Sequence, residues 1–208
     1  RQRKRRPAKP FAVMVRDCAV ARRLVALAGA DEAELGSPRA PIVLAPRRGG
    51  AGVAEGVAPG LEDFGVLLPT APLHVELFRG APYDTLVMTS GNVSDEPICR
   101  TNREALERLG GIADAFLVHD RDVVRRVDDS VVRTGEAGPF AVRRARGMVP
   151  EAMPLSSAAS RPVLALGGFL QATACLASGS EAFLSQHVGD LDSEPARVFL
   201  REVVEGLE

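Results

Sequence analysis

Short apolar runs alternate with helix-like stretches along the first 150 residues. Helices are predicted at residues 19–28, 71–78 and 101–109. Asp17 is expected to cap the first and Gly29 to end it, with Leu24, Leu27 and Ala28 facing the core. Thr101 and Glu104 have the spacing of a capping box. Strands are predicted at residues 11–15, 42–45, 64–69, 86–88, 115–118, 131–132 and 140–142. This alternation, without an internal repeat, predicts the α/β class.

The pattern changes after residue 150. Residues 151–161 are small and polar, which favours a linker, and a new apolar run opens at residue 162. Strands at 171–177 and 182–185 and a helix from Ser193 to Glu205 are expected to follow. We therefore predict one domain over residues 1–150, a linker over 151–161, and the start of a second domain over 162–208. We expect the chain to be part of a longer protein.

Composition narrows the functional classes. The 208 residues carry a net charge of -1, which argues against a general nucleic-acid or membrane binder. Aromatic residues make up only 4%, so stacking platforms for bases are scarce. The cysteines, Cys18, Cys99 and Cys175, are far apart and suit a reducing cytoplasm, the expected location. No apolar run reaches the ~18 residues of a transmembrane helix, so no membrane partner is predicted.

Three polar segments carry candidate chemistry. Residues 1–10 are strongly basic and lead into the first strand, and the polar residues 89–94 follow a buried run, where α/β proteins bind ligands. Residues 125–133 combine arginines, carboxylates and Ser130 at a strand entrance, suited to binding an anion. The alternatives are a solvated basic end, a strand-capping turn and surface ion pairs. His74 and His119 are expected to be structural rather than metal ligands or acid–base groups.

These segments resemble the motifs of the YrdC-like family. Residues 4–10 (Lys-Arg-Arg-Pro-Ala-Lys-Pro) are similar to its Lys-x-Arg-Pro-x-x-x-Pro segment. Residues 89–94 (Thr-Ser-Gly-Asn-Val-Ser) match its Thr-Ser-x-Asn-x-Ser segment, and residues 129–132 resemble its Ser-Thr-Val-Val strand. The resemblance implies that the three segments form one site. It also implies a YrdC-like twisted mixed sheet with flanking helices that binds ATP and forms an acyl-adenylate, releasing pyrophosphate.

Further segments resemble one branch of that family, the HypF carbamoyltransferases of hydrogenase maturation. They are residues 119–121, 128–130, 143–147, 166–168 and 181–191. The last two are similar to the opening of an actin-like α/β domain, which here would be truncated. Residues 167–173 (Gly-Gly-Phe-Leu-Gln-Ala-Thr) depart from that domain's usual Gly-Gly-Glu-Leu-Lys-Asn-Thr.

The resemblance implies a substrate set. Carbamoyl phosphate and ATP would give carbamoyl-adenylate, and the carbamoyl group would pass to the C-terminal cysteine of a HypE-type acceptor protein, becoming a cyanide ligand of a nickel–iron site. Mg²⁺ would accompany ATP, with no protein ligand for a metal assigned. Zinc is implied only for upstream regions that this sequence does not include. The fragment alone is not expected to complete the transfer.

The same resemblance implies residue roles. Lys4 and Arg6 would be catalytic, offsetting charge in the transition state. The other expected substrate- or nucleotide-binding residues are Lys9, Thr89, Ser90, Asn92, Ser94, Ser130, Arg143 and Arg144. No covalent nucleophile is evident, so catalysis by positioning and charge neutralisation is expected. Two alternatives stay open: a threonylcarbamoyl-AMP synthase of the same fold, and a non-catalytic module binding double-stranded RNA, which the net charge disfavours.

Overall fold

The computed structural model describes residues 1–6, 8–50 and 52–207, so Pro7 of the basic segment lies outside the described residues. The chain divides into two compact units, each discontinuous in sequence. The first contains Arg1, Arg6–Thr89 and Asp129–Arg143, and the second contains Gln2–Arg5, Ser90–Asp128 and Arg144–Glu208.

The strands and helices follow the predicted alternation over most of the chain. In chain order they are β1 (Ala12–Val15), α1 (Cys18–Leu24), α2 (Gly29–Leu35), β2 (Ile42–Pro46), a short 3₁₀ turn (Glu55–Val57), β3 (Asp63–Leu67), α3 (Pro72–Phe78), β4 (Thr85–Met88), α4 (Asn102–Leu109), β5 (Val131–Gly135), β6 (Gly138–Arg143), β7 (Met153–Leu166), β8 (Ala174–Leu184) and α5 (Glu194–Glu205).

The first unit is built on a mixed sheet with the strand order β4-β1-β3-β2-β5-β6. β1 with β3 and β2 with β5 are parallel, and the other neighbouring pairs are antiparallel. The register aligns Val13 of β1, Val66 of β3, Val43 of β2 and Val132 of β5 in one row across the sheet. These four side chains are at most 1% exposed, so β-branched packing on a shared face fixes the register.

The two faces of the sheet bury different residues. Val13 and Val15 of β1 join a core cluster with Val20 and Leu24 of α1, whereas Met14 packs in a second cluster with Phe78 of α3. This alternation is the period of two that a strand imposes. The sheet is thus covered on both faces, and the predicted α/β class with a mixed sheet and flanking helices is confirmed.

Helix α1 begins as predicted but ends early. The Asp17 carboxylate accepts a hydrogen bond from the Val20 amide at 2.9 Å, the expected cap. Val25 is already extended and bridges to Arg47, because its buried side chain belongs to the core cluster. The prediction that Gly29 ends this helix is wrong, since Gly29 begins α2. Leu24 faces the core as expected, but Ala28 is exposed.

The second unit contains α4, the antiparallel pair β7–β8, and α5. The capping box of Thr101 and Glu104 on α4 and the Ser193 cap of α5 are confirmed. Three predictions are wrong. Residues 151–161 lie mostly within β7 rather than in an irregular linker, and the strands expected at 171–177 and 182–185 are replaced by one strand, β8. Residues 115–118 form no strand, because Leu117 and Val118 point to solvent.

The limits of the predicted domains stay a prediction. Across the described ranges, no helix is long and apolar enough to cross a membrane.

Candidate functional site

A tight turn over Gln2–Arg5 places Lys4 inside the second unit. The Arg5 amide donates to the Gln2 carbonyl at 2.9 Å, and Arg5 has a φ of 49°, in the left-handed region. The turn sends neighbouring side chains in opposite directions. Arg3 forms a two-pronged ion pair with the exposed Asp114 at 2.7 and 3.0 Å, whereas Lys4 is only 4% exposed. Gln2–Arg5 therefore form a defined turn with one buried lysine.

The Lys4 ammonium group donates a hydrogen bond to the Ser90 carbonyl oxygen. In return, the Ser94 hydroxyl donates to the Lys4 carbonyl oxygen at 2.6 Å. Two contacts in opposite directions thus join the N-terminal turn to the loop after β4, and they hold both the backbone and the charged end of Lys4. We call Lys4, Ser90, Asn92 and Ser94 the Lys4 cluster.

The loop itself is shaped by its polar side chains. The Ser90 hydroxyl donates to Asn92 Oδ1 at 2.7 Å, and Asn92 Nδ2 donates to the Glu96 carbonyl at 2.6 Å. Asp95, with a φ of 65°, supplies the left-handed residue that lets the loop turn back. The strand-capping turn and the candidate site were both predicted at residues 89–94. These residues form a turn whose own side chains fix its geometry.

The chemistry of the Lys4 cluster suits an anion. The Lys4 ammonium is a cation with three hydrogen-bond donors, a group that contacts phosphate oxygens. The hydroxyls of Ser90 and Ser94 donate to Asn92 and Lys4, so they hold the loop around this cation. A cation would need carboxylates or imidazoles instead. Within the described part of the chain, no group of three or more His, Cys, Asp or Glu residues could hold a metal ion.

Ion pairs support the loop from α4. Arg108 pairs with the Glu96 carboxylate, and the Cys99 amide donates to the Gly91 carbonyl at 2.8 Å. Burial raises the pKa of the Cys99 thiol, which disfavours its thiolate. Burial also acts to raise the pKa of Glu104, but the amides of Arg100 and Thr101 and the charge of Arg126 lower it overall. Glu104 is therefore held ionised.

Arg126 is a supporting residue for which sequence analysis predicted no separate role. Its guanidinium contacts the carboxylates of Glu104 at 3.0 Å and Glu202 at 2.7 Å and is 11% exposed. Arg126 thus forms ion pairs, as the alternative for residues 125–133 expected, but its side chain is mostly buried rather than at the surface. The signal in the sequence was the density of charges at residues 125–129, but its partners could not be read from it.

The remaining candidates from the basic segment lie in the first unit. Arg6 donates to the carbonyls of Lys9 at 3.2 Å and Pro10 at 3.0 Å, and its guanidinium stacks on the Phe11 ring at 5.5 Å. These contacts order the loop that carries Lys9, whose side chain is exposed. Thr89, at the end of β4, is exposed as well.

Ser130 immediately precedes β5, and Arg143 is the last residue of β6, next to β5 in the sheet. Ser130 is fully buried, and its carbonyl accepts from the Ile42 amide at 2.8 Å. Arg143 pairs in register with Val131 and donates through Nε to the Asp129 carbonyl at 2.8 Å. Arg144 belongs to the second unit and donates to the Glu151 carbonyl at 2.6 Å. The two adjacent arginines thus bind different carbonyl groups.

The structure brings together Lys4, Ser90, Asn92 and Ser94 in one unit. In the other unit, Arg143 binds the carbonyl of Asp129, the residue before Ser130. The roles of all ten candidates stay predictions. The expectation that His74 and His119 are structural stays a prediction as well. His74 accepts from the Thr70 amide at 3.2 Å at the start of α3, and His119 is exposed.

Comparison with known proteins divides the chain into two matched regions. Residues 1–145 match the Sua5/YciO/YrdC family model, described as telomere recombination, and residues 158–208 match the HypF Kae1-like domain. The carbamoyltransferase HypF of Rhodobacter capsulatus is 48% identical over 194 residues, which are 92% of this chain and 25% of that protein. The chain thus spans about a quarter of the length of the curated relatives it matches.

Solved structures give the same picture. A crystal structure of full-length HypF in the phosphate- and nucleotide-bound form superposes with a TM-score of 0.94 at 44% identity, covering 99% of this chain and 27% of that one. Sua5 of P. abyssi complexed with L-threonine, at 19% identity and a TM-score of 0.57, covers 69% of this chain and 42% of its own, and shows the fold alone. The predicted YrdC-like sheet is confirmed, and the region expected to open an actin-like domain matches the HypF Kae1-like domain. The chain belongs to the Sua5/YciO/YrdC family and is homologous along nearly its whole length to the HypF carbamoyltransferases.

Proposed function

We propose that this chain is the adenylate-forming part of a carbamoyltransferase that acts in hydrogenase maturation. Its substrates are carbamoyl phosphate and ATP, and its product is carbamoyl-adenylate. The carbamoyl group then passes to the C-terminal cysteine of a HypE-type acceptor protein, with the remaining part of the longer protein taking part in the transfer. The chain works in the cytoplasm.

One observation carries this proposal: the buried Lys4 ammonium, held against the Ser90 carbonyl inside a loop of hydroxyl and amide groups. A buried lysine that is fixed at both its backbone and its charged end is pre-organised to meet an anion. The homology to HypF carbamoyltransferases supports the choice of carbamoyl phosphate and ATP as the anions.

The atoms of the reaction balance as follows. Hydrolysis of carbamoyl phosphate by water yields inorganic phosphate and carbamate. A carbamate oxygen attacks the α-phosphorus of ATP, the bond between the α-phosphorus and its bridging oxygen to the β-phosphate breaks, and pyrophosphate leaves. Negative charge accumulates on the phosphate oxygens during this displacement, and a fixed cation is worth most at that moment.

The residues have distinct tasks in this scheme. Lys4 neutralises charge on the reacting phosphates, and at 4 Å one such pair is worth about 4 kcal/mol at an effective dielectric of 20. Ser90 and Asn92 orient the phosphates or the acyl group, with Thr89 and Ser94 in support. Arg6 and Lys9 add positive charge, Ser130 contacts phosphate, and Arg143 or Arg144 binds the nucleotide. Mg²⁺ enters with ATP.

The test is pyrophosphate release by the purified protein with ATP and one of two partners. Release with carbamoyl phosphate, and little with threonine plus bicarbonate, is the expected result. Release only with threonine plus bicarbonate would instead make the chain a threonylcarbamoyl-AMP synthase. No release with either partner, together with RNA binding whose affinity falls steeply with salt, would favour the RNA-binding alternative.

Substitutions at two neighbouring positions test whether the reaction uses Lys4 itself or only the positive charge of the segment. Lys4→Ala is expected to lower kcat/KM for ATP by at least about 100-fold, since the loss of a pre-organised donor costs about 3 kcal/mol. Arg3→Ala removes a cation one residue away, but its partner Asp114 is exposed, so activity should stay within about twofold. Equal losses in both variants would show that general positive charge, not Lys4, is what the reaction uses.

A further inference from the structure

The peptide unit between Ile98 and Cys99 closes the loop that carries the Lys4 cluster. Its N–H donates to the Gly91 carbonyl at 2.8 Å, and Gly91 lies between Ser90 and Asn92. Its C=O accepts from Arg126 Nε at 2.9 Å. This one peptide unit is thus hydrogen-bonded on both sides, to Gly91 in the site loop and to the charged guanidinium of Arg126. Hydrogen bonds in such a chain polarise one another, so the bond to Arg126 strengthens the bond to Gly91.

Arg126 uses all three nitrogens of its guanidinium group. Besides Ile98, it binds Glu104 of α4 through Nη2 at 3.0 Å and Glu202 of α5 through Nη1 at 2.7 Å. The planar fork of arginine suits three partners in fixed, separate directions, whereas the three donors of lysine all lie on one nitrogen. At 11% exposure the side chain is mostly removed from water, so each contact restrains its orientation.

The three partners of Arg126 lie in different parts of the chain. Glu104 is itself fixed, because its other oxygen accepts from the Arg100 amide at 2.6 Å within the capping box of α4. Glu202 lies on α5, in the region that matches the HypF Kae1-like domain, whereas Arg126 and Glu104 lie in the region that matches the Sua5/YciO/YrdC family. The Gln186 side chain, also from the Kae1-like region, donates to the Arg126 carbonyl.

We propose that Arg126 is a positioning residue through which helix α5 holds the Ile98–Cys99 peptide, and with it the Lys4 cluster, in the phosphate-binding geometry. The Kae1-like region thereby sets how often the adenylate-forming loop is competent, before any group is transferred. This inference rests on the proposed function for its effect on turnover, but not for its structural effect.

The structural effect can be measured by amide hydrogen exchange in the 208-residue chain. Glu202→Ala removes the carboxylate on α5 that anchors Arg126. Glu205→Ala makes the same change one turn further along, where the side chain is exposed, and serves as the matched control. Glu202→Ala is expected to speed exchange of the Cys99 amide about fivefold, within the range of such couplings, while Glu205→Ala changes it less than twofold.

The kinetic effect should fall on KM. If the loop is competent for a smaller fraction of the time, the apparent affinity for ATP falls by that fraction, whereas the rate from the bound state does not. Glu202→Ala should therefore raise KM for ATP about fivefold and leave kcat within about twofold. Arg126→Lys keeps the charge but loses the fork, so it should raise KM at least as much.

The outcomes separate the two proposals. Unchanged Cys99 exchange in Glu202→Ala, or an increase no larger than at the Ala105 amide within α4, would overturn the positioning role even in an active enzyme. A wild-type chain that releases no pyrophosphate would overturn the proposed function, and the exchange experiment would still decide the role of Arg126. In Glu202→Ala, a fall in kcat with unchanged KM for ATP would also refute the positioning role of Arg126.

Discussion

Ser94→Ala tests whether the backbone of Lys4 has to be tethered. The Ser94 hydroxyl donates to the Lys4 carbonyl at 2.6 Å, and 90 residues separate the two in sequence. Alanine keeps the β-carbon, so the substitution removes this hydrogen bond and little else. The Lys4 ammonium keeps its contact with the Ser90 carbonyl, but the turn that carries it is freer to move.

The expected fall in kcat/KM for ATP has two contributions. The lost hydrogen bond is worth about 1 kcal/mol net. If the ammonium group then lies about 5 Å rather than about 4 Å from a phosphate oxygen, their attraction falls from about 4.2 to about 3.3 kcal/mol at an effective dielectric of 20. The sum is about 1–2 kcal/mol, so kcat/KM for ATP should fall by about 5- to 30-fold.

The assay is steady-state pyrophosphate release with ATP and carbamoyl phosphate, with circular dichroism as the check on folding. Ser94→Thr restores a hydroxyl at the same position and should stay within about threefold of wild type. If Ser94→Ala keeps full kcat/KM, the tether does not position Lys4. If Ser94→Thr is as impaired as Ser94→Ala, the size of the side chain, not its hydrogen bond, is what the loop requires.

Two further predictions concern stability. In Gly65→Ala the new Cβ would lie 2.8 Å from Cγ2 of the buried Ile42, which should cost about 1–3 kcal/mol in urea unfolding, whereas Gly29→Ala, with no atom within 4 Å, should be neutral or slightly stabilising. The pKa of Glu104 is lowered in the folded state, so its ionised form stabilises the protein above the unfolded pKa, and this contribution is lost as pH falls through the folded pKa. The stability difference between wild type and Glu104→Gln should therefore shrink as the pH falls from about 5 through the unfolded pKa of about 4.3 and below it, and a constant difference would contradict this.

Local signals predicted local structure well. Asp17, Thr101 with Glu104, and Ser193 each cap the helix that the sequence assigned to them. A cap needs only neighbours within four residues, so a short stretch of sequence contains the whole interaction. The strands of the mixed sheet were predictable for a similar reason, because β-branched apolar runs mark positions buried on the sheet.

The errors arose where distant partners decide the structure. Residues 151–161 are small and polar, but they pair with β8 and become part of β7. Residues 115–118 have the composition of a buried strand, yet no strand pairs with them across the described ranges. Val25 leaves α1 because its bridge to Arg47 and its place in the core outweigh helical continuation. Composition cannot specify such partners.

The candidate site shows the same division. Residues 89–94 alone indicated a turn after a strand, and only the ordered set of motifs pointed to a partner near residue 4. Arg126 acquired a role only once Glu202, 76 residues further along, was seen to bind it. Ion-pair networks of this kind depend on the folded arrangement of helices, which the charge pattern of one segment does not determine.

The contact between Lys4 and the Ser90 carbonyl also has a consequence for protein synthesis. The two residues are 86 positions apart, so at about 5–20 residues per second the ribosome makes Lys4 about 4–17 s before its partner. During that interval the ammonium group that is buried in the native protein is exposed to water on a growing chain. The strands β1, β2 and β3 emerge earlier and can pair without it. Substitutions in the Lys4 cluster should therefore leave the pairing of β1, β2 and β3 unchanged and alter only steps that follow the synthesis of Ser90.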